Sequence, residues 1–423
     1  MDSSQGTPGH GGLAERAEAA LQRDAGPAGS AGGVPGYAPA MRYWVLLGCG
    51  LLMAGAVHAA AASACLWDRD TRLMERQRFP SVLEVVSGKF LRHSDAYYRW
   101  RVADRTARME RGEVGPELVD DLAVAHSKLG EDERAIALME GLLEQDPRRY
   151  ETLANLGTFH VHAGNLEVGA GFIGEALAVN PEAHFGREVY QLLLVQYVLA
   201  KRAGAAEVKL PLCVESASQI GAAPAPNFWA FLAARLELDP AAPEAQTEAI
   251  AAGVAGVAGM IRFGNHSSPV LLEALSDLLL ADFQQDAKGL AARALLRAAE
   301  SCDDPGAAAA YREKARKALS MQTPESGETR SLRVEELEAQ FATELAESEA
   351  WWAELRLNEA EWIAAGADVD ARFAEVYYAE PAIGSDPRTL SRAPILYGLG
   401  AALIAAGMLL ARKRASAPVE ETT

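Results

Sequence analysis

The sequence has little of what usually marks an enzyme or a nucleic-acid-binding protein. Four cysteines occur in 423 residues, and they lie too far apart for a zinc module or a disulfide scaffold. Lys and Arg number 40 against 58 Asp and Glu, so the net charge is −18, which argues against a nucleic-acid partner. HExxH, CxxC, GxSxG, SxxK and Walker motifs are all missing. These absences predict a protein that is not an enzyme, with no catalytic residue, no resident metal and no cofactor.

Aromatic residues are also scarce, at 7%, whereas alanine recurs throughout the chain, and this composition favours an all-α fold. One short stretch contains three glycines at intervals of three: Gly253, Gly256 and Gly259. A phosphate-binding loop needs a different spacing and a following Lys-Ser or Lys-Thr pair. We therefore expect these glycines to permit close helix packing.

The first 64 residues divide into two parts. Residues 1–40 are rich in Gly, Ala, Pro and Ser, which predicts a disordered extension and makes Met41 a possible true start. Residues 41–64 hold one Arg, an apolar run and then small residues, which predicts a signal peptide or an N-terminal membrane segment. Cleavage would fall before Cys65, and a loose lipobox makes Cys65 a lipidation candidate. An incidental cysteine beside a cleavage site would give the same pattern.

The opposite end of the chain contains a second apolar stretch. Residues 393–411 are uncharged and are followed by a basic triplet, Arg412 to Arg414. A helix of this length spans roughly 28 Å at about 1.5 Å per residue, which matches the hydrocarbon thickness of a bilayer. The stretch therefore predicts a transmembrane helix with residues 412–423 as a cytoplasmic tail, because basic residues stay inside. The main domain is then periplasmic or otherwise extracytoplasmic at the cytoplasmic membrane.

A repeat of 34 residues organises the middle of the chain, in residues 116–149 and 150–183. The two copies match at Leu122/Leu156, Ala123/Gly157, His126/His160, Gly130/Gly164, Ala135/Gly169, Leu143/Leu177 and Pro147/Pro181. The small residues let two helices approach, the glycines turn between them, and the prolines end the second helix. This pattern resembles two consecutive tetratricopeptide (TPR) repeats. A pair of repeats cannot close its own core, so flanking helices are expected to continue the stack.

The resemblance implies binding rather than catalysis. In this family the first helices of the repeats form a concave surface that holds a peptide or a partner's helix. By register, the groove positions are Glu117, Asp120, Val124, Lys128, Glu151, Ala154, Thr158 and His162. The acidic side chains among them favour a basic or apolar segment of a protein partner. His160 and His162 face different ways on a helix, so they do not predict a shared metal ion.

The fold class expected from these patterns is an all-α, TPR-like helical-hairpin solenoid with flanking degenerate helical units, a long juxtamembrane helix and a C-terminal transmembrane helix. The ordered regions are a TPR region at 65–202, a loop or linker at 203–227, degenerate TPR-like helices at 228–330, and an amphipathic helical stalk at 331–379. Ser94 is expected to cap a helix whose apolar face is formed by Tyr98, Val102 and Met109.

Three functional hypotheses stay open. The first is a non-enzymatic TPR scaffold or adaptor in a bacterial envelope complex. The second is a structural protein that self-associates as a homo-oligomer, since Gly398, Ala402 and Ala406 could bring two membrane helices together. The third is an enzyme with a site in residues 203–330. A disulfide between Cys213 and Cys302 is a further open possibility, because an exported domain meets an oxidising compartment.

Overall fold

A computed structural model describes residues 66–75, 79–181, 187–202, 205, 208–214, 227–282, 285–321 and 333–378. Every regular element in these ranges is an α-helix, so the expected all-α class is confirmed. Numbered in chain order, the helices are α1 (Arg69–Glu75), α2 (Val82–Ser87), α3 (Asp95–Glu110), α4 (Pro116–Lys128), α5 (Asp132–Leu143), α6 (Tyr150–His162), α7 (Leu166–Val179), α8 (Arg187–Arg202), α9 (Phe228–Arg235), α10 (Pro243–Phe263), α11 (Pro269–Ala281), α12 (Gln285–Glu300), α13 (Pro305–Ser320), α14 (Val334–Ala364) and α15 (Val369–Tyr377).

The two predicted repeats each form a pair of packed helices, α4 with α5 and α6 with α7. The second pair starts 34 positions after the first, as the sequence predicts. Gly130 and Gly164 turn between the helices with φ of +77° and +83°, a backbone region that side chains rarely tolerate. Both turns close in the same way, with the Glu131 N–H donating to the His126 carbonyl at 2.9 Å and the Asn165 N–H to the His160 carbonyl at 2.8 Å.

Small residues bring α6 and α7 into close contact. A Cβ atom built on Gly157 would lie 2.6 Å from Ile173 Cγ1, and one on Gly169 would lie 2.8 Å from the Gly157 carbonyl oxygen. Neither distance is compatible with a side chain, so both positions require glycine unless the helices move apart. The glycines of α10 behave similarly, because a Cβ on Gly256 would lie 2.8 Å from the ring of Tyr190 in α8.

The largest apolar core is formed by α8 to α13, with residues of α2, α6, α7 and α14 packed against it. A smaller core lies between the repeat helices α4 to α7. Among the described residues, Cys213 and Cys302 are not joined by a disulfide. Helix α8 ends at Arg202, where the predicted TPR region ends, and α9 to α13 lie within residues 228–330, where degenerate repeat helices were expected.

The long acidic helix predicted near the C-terminus is present as α14, but it is not an isolated stalk. It packs against α2, α3, α12 and α13. Leu337, Phe341 and Leu355 are buried along it. The helix ends at Ala364, close to Gly366 with its φ of +65°, and α15 begins at Val369. The described residues fall into two compact units, one up to Val369 and one from Asp370, and the sites below belong to the first.

Several predicted segments lie outside the described residues: the extension at 1–40, the segment at 41–64, Cys65, the apolar stretch at 393–411 and the tail at 412–423. Within the described part of the chain, none of the helices combines the length and the apolar character needed to cross a bilayer. The membrane predictions therefore stay predictions.

Candidate functional site

The eight predicted groove residues differ widely in exposure. Glu117 is exposed, and Lys128, Glu151 and His162 are half-buried. The other four are almost fully buried, with exposed fractions of 0–3%: Asp120, Val124, Ala154 and Thr158. The surface formed by the first helices of the repeats is therefore largely covered by other parts of this chain.

The cover is the N-terminal segment, which we define as residues 66–75. Leu66 is fully buried in the same apolar cluster as Val124. Trp67 packs against an apolar cluster that includes Ala154, and it meets the ring of Tyr150 edge-on, with ring centroids 5.3 Å apart. The segment thus adds two large apolar side chains to the clusters that contain the predicted groove positions Val124 and Ala154.

Asn155 holds the backbone of this segment. The Trp67 N–H donates to Asn155 Oδ1 at 2.9 Å, and Asn155 Nδ2 donates to the Trp67 carbonyl at 3.1 Å. A primary amide can satisfy both backbone groups of one residue, which fixes the register of an extended chain without reading its side chain. Asn155 was not among the predicted groove residues, although it follows Ala154 on the same helix.

Buried arginines of α3 bind the acidic residues of the segment. Arg101 Nη1 donates to Asp68 at 2.8 Å, and its Nη2 donates to Asp70. The hydroxyl of Tyr97 also donates to Asp70, at 2.8 Å. Burial raises the pKa of Asp70, but Arg101 and His93 outweigh it and hold that pKa below its usual range. Burial also raises the pKa of Asp68, and there it outweighs the opposing charge of Arg101. The negative charge of Asp70 is therefore compensated more completely than that of Asp68.

The predicted apolar face of α3 is not its most buried face, since Tyr98 and Val102 on it are only half-buried. Ser94 caps the helix as predicted, accepting from the Tyr97 N–H at 3.2 Å. The buried side chains are Tyr97, Arg101 and Arg105, whereas Met109 is exposed. The reason is that Asp121 and the N-terminal segment supply carboxylates to this face, so a cationic stripe is buried where an apolar one was expected. Arg105 donates to Asp121 at 2.9 Å.

His93 and Glu359 connect this network to the long helix α14. His93 lies 2.6 Å from Glu359 through Nδ1 and 3.1 Å from Asp70 through Nε2. Burial disfavours the charged imidazole, yet Asp70 and Glu359 outweigh burial and raise the pKa of His93 to about 9. We call Asp68, Asp70, His93, Arg101 and Glu359 the N-terminal cluster. It joins the segment, α3 and α14 in one buried network.

The far end of the segment is held by two more arginines. Arg187 of α8 pairs with Glu75, and Arg262 of α10 donates to the Met74 carbonyl at 3.0 Å. The segment therefore contacts α3, α4, α6, α8 and α10 in turn. Every one of these contacts lies within the described part of the first unit.

Two charged groove residues serve internal contacts. Arg149 donates to Asp120 at 2.8 Å, and burial outweighs this pairing to raise the pKa of Asp120 to about 6. Lys128 donates to the carbonyls of Phe263 and Gly264 at 2.6 and 2.8 Å, and burial lowers the pKa of Lys128 to about 8. The expectation of a basic partner segment assumed that the acidic groove residues face solvent. Asp120 does not face solvent, so it gives no support to that expectation.

The region that was considered as an alternative enzyme site contains a second buried ionic network. Lys314 of α13 donates to Glu273 at 2.8 Å and to Asp277 at 3.0 Å, and all three are at most 1% exposed. Glu273 also accepts from the N–H groups of Leu212 and Cys213, each at 2.9 Å. We call Glu273, Asp277, Tyr311 and Lys314 the Lys314 cluster. Its contacts attach residues 208–214 to α11 and α13.

The two histidines of α6 have separate neighbours. His160 stacks on Phe172 with ring centroids 5.5 Å apart, while His162 Nδ1 lies 3.1 Å from Ser127 Oγ. Among the described residues, no group of three or more His, Cys, Asp or Glu side chains has an arrangement that could hold a metal ion. Comparison with known proteins adds no assignment, because no family model and no curated protein matches this chain.

Proposed function

We propose that this chain is a non-enzymatic scaffold of the TPR type, held at the outer side of the cytoplasmic membrane, that binds a protein partner through the first helices of its repeats. The 34-residue offset between the two helix pairs and the glycines at the α6–α7 crossing support the TPR assignment. The apolar stretches near both ends of the sequence support the membrane assignment.

The observation that carries the proposal is the N-terminal segment lying on α4 and α6. Asn155 binds the backbone of Trp67, and the Trp67 ring fills the apolar site beside Tyr150. Arg101 donates a hydrogen bond to Asp68, the acidic residue that follows. A surface with these three features suits a peptide in which a leucine and an aromatic residue precede an acidic one. The partner we propose presents such a segment in place of residues 66–75.

The test uses a fluorescent peptide with the sequence of residues 66–75, added to the full-length protein in detergent. In the Trp67→Ala variant the chain's own segment loses its largest apolar contact, so the surface becomes available. We expect saturable peptide binding that is at least about ten-fold tighter for Trp67→Ala than for the unaltered protein. Fluorescence anisotropy measures it.

Two further variants in the Trp67→Ala background separate specific binding from non-specific binding. Asn155→Ala removes both hydrogen bonds to the peptide backbone and should weaken binding by about ten-fold, or about 1.4 kcal/mol. Asn165→Ala is the matched control, because Asn165 is exposed and makes no side-chain cap bond to α7. No saturable binding, or equal binding by both asparagine variants, would contradict the proposal.

The membrane side of the proposal has its own test. Protease added to intact spheroplasts should digest the domain formed by residues 79–369 and leave an epitope at the end of the chain protected. Protection of the domain would contradict the proposed location. Size measurement in detergent then separates a monomeric scaffold from a self-associating one, in which a second copy would supply residues 66–75.

A further inference from the structure

A pocket of about 340 Å³ lies between α12, α14 and the loops that precede α3 and α11. It is separate from the groove described above. Its polar lining includes Arg92, His266, Arg297, Glu300 and Glu349, and its aromatic lining is Trp352. Ligand pockets in proteins start at about 300 Å³, so this volume suits a small molecule.

Both arginines of the pocket have hydrogen-bonding capacity left over. Arg92 lies 4.0 Å above the Trp352 ring and donates through Nη1 to the Gly88 carbonyl. Arg297 reaches Glu300 only at 3.4 Å. The Nε atoms of Arg92 and Arg297 are buried, and within the described residues neither has a hydrogen-bond acceptor. A buried guanidinium donor without an acceptor is costly, so neither arginine is fully satisfied by the protein. Both side chains line the pocket, where an oxyanion would add acceptors.

The charge balance of the pocket also favours an anion. Glu349 is engaged by Arg356 at 2.6 Å. Burial, together with the positive charges of Arg92 and Arg297, lowers the pKa of His266 to about 3. Burial and Arg297 likewise lower the pKa of Arg92 to about 10, although Glu349 opposes the shift. Burial is the main cause of both shifts. At His266 the charges that add to burial are positive, whereas at Arg92 the charge of Glu349 outweighs that of Arg297.

We propose that this pocket binds a compact oxyanion, a phosphate or a carboxylate group of a small molecule, between Arg92 and Arg297. Arginine forms strong, directional hydrogen bonds with both kinds of oxyanion. Arg297 belongs to α12 and Trp352 to α14, so the bound anion would join these two helices. The inference does not depend on the proposed partner-binding function.

The test titrates inorganic phosphate and, separately, benzoate into the full-length protein at constant ionic strength. Isothermal titration calorimetry and tryptophan emission follow the binding. We expect saturable binding of at least one of the two probes, and the tighter one identifies whether the natural ligand carries phosphate or carboxylate. The emission change should disappear in Trp352→Phe, which keeps an aromatic ring in the pocket.

Arg297→Gln is the decisive variant, because the side chain of Arg297 makes no strong internal contact that its loss would break. We expect the dissociation constant of the tighter probe to be at least about ten-fold higher for this variant, because a charge-assisted hydrogen bond is lost. Arg316→Gln is the control, since Arg316 is exposed on α13 and pairs with Glu313 outside the pocket. Circular dichroism checks that each variant folds. Failure of both probes to saturate, or equal affinity in Arg297→Gln and Arg316→Gln, would overturn the proposal.

Discussion

The two buried ionic networks of this protein differ in what they join and in how their charges are balanced. The N-terminal cluster connects residues from Asp68 to Glu359, which are far apart in the chain, and it includes a histidine. The Lys314 cluster connects residues between Leu212 and Lys314 and contains a lysine as its cation. The comparison is between a network that contains a histidine of raised pKa and a network whose cation is a lysine of raised pKa.

Backbone groups explain much of this difference. In the Lys314 cluster, Glu273 accepts hydrogen bonds from two N–H groups, from Tyr311 and from Lys314. In the N-terminal cluster, Glu359 accepts from the Ser94 N–H at 3.0 Å, and its other oxygen lies against His93. The second arrangement depends on a side chain that titrates, so its strength should change with pH.

The largest expected effect is in the Lys314 cluster. Lys314→Met keeps the volume of the side chain but leaves Glu273 and Asp277 buried without their cation, so we expect a loss of about 3–5 kcal/mol in the free energy of unfolding. Urea denaturation followed by circular dichroism measures it. The control is Lys317→Met, three positions along α13 and exposed, for which a change within about 0.5 kcal/mol is expected. Similar values for the two variants would remove the energetic argument for this cluster.

The next effect concerns His93 and pH. The pKa of His93 in the folded protein is about 9, above the unfolded value of about 6.5. Because the folded pKa is the higher one, the contribution of His93 to stability is fully present below pH ~6.5 and is lost as the pH rises through about 9. The full contribution corresponds to about 3 kcal/mol. The stability difference between the unaltered protein and His93→Gln should therefore shrink between pH 6 and pH 9.

The matching prediction for the Lys314 cluster concerns the pH dependence of the stability lost in Tyr311→Phe. It removes a hydrogen bond of 2.8 Å to Glu273, and burial keeps the pKa of Tyr311 above its usual range. We expect the free energy of unfolding, measured by urea denaturation, to fall by about 1 kcal/mol, and this loss should stay constant from pH 6 to pH 9. If the loss of stability in His93→Gln were also independent of pH, the proposed difference in pH response between the N-terminal cluster and the Lys314 cluster would be wrong.

The sequence predicted the helices better than the site because helix signals are local. The cap at Ser94, the turns at Gly130 and Gly164 and the close approach at Gly157 all follow from residues within one repeat or one turn. These features depend on backbone conformation and side-chain size, which the spacing of residue types reveals. The pairing of α4 with α5 and of α6 with α7 was therefore predictable.

The contacts that the N-terminal segment makes with the predicted groove residues and with α3 were not predictable in the same way. Arg101 is buried because Asp68 and Asp70 reach it from a segment that precedes it by about thirty positions. Nothing in the spacing of α3 itself distinguishes a buried arginine from an exposed one. Asn155 likewise looks like an ordinary polar residue of α6 until Trp67 lies beside it. The roles of Arg101 and Asn155 both depend on contacts with residues far away in the chain. A repeat pattern carries no information about such contacts.

Glu188 extends the comparison to a buried carboxylate that lacks such compensation. It is 1% exposed and accepts a hydrogen bond from Tyr150 through Oε1, whereas no described residue donates to Oε2. Burial raises the pKa of Glu188 to about 7 although Tyr150 and Arg187 oppose the shift. The folded protein therefore binds this proton more tightly than the unfolded chain, and stability from this group is lost as the pH rises from about 4.5 to about 7.

Glu188→Gln should stabilise the protein at pH 8, where the carboxylate is charged, and change little at pH 5. We expect a gain of about 1–2 kcal/mol at pH 8, less than the whole shift would give, because the amide must also be desolvated. Glu175→Gln, at an exposed position of α7, is the control and should change stability by less than about 0.5 kcal/mol at either pH. A loss of stability in Glu188→Gln at pH 8 would mean that the charged form is compensated after all. Glu188 would then belong with Glu273 and Glu359, since its charge would have to be balanced by groups around it.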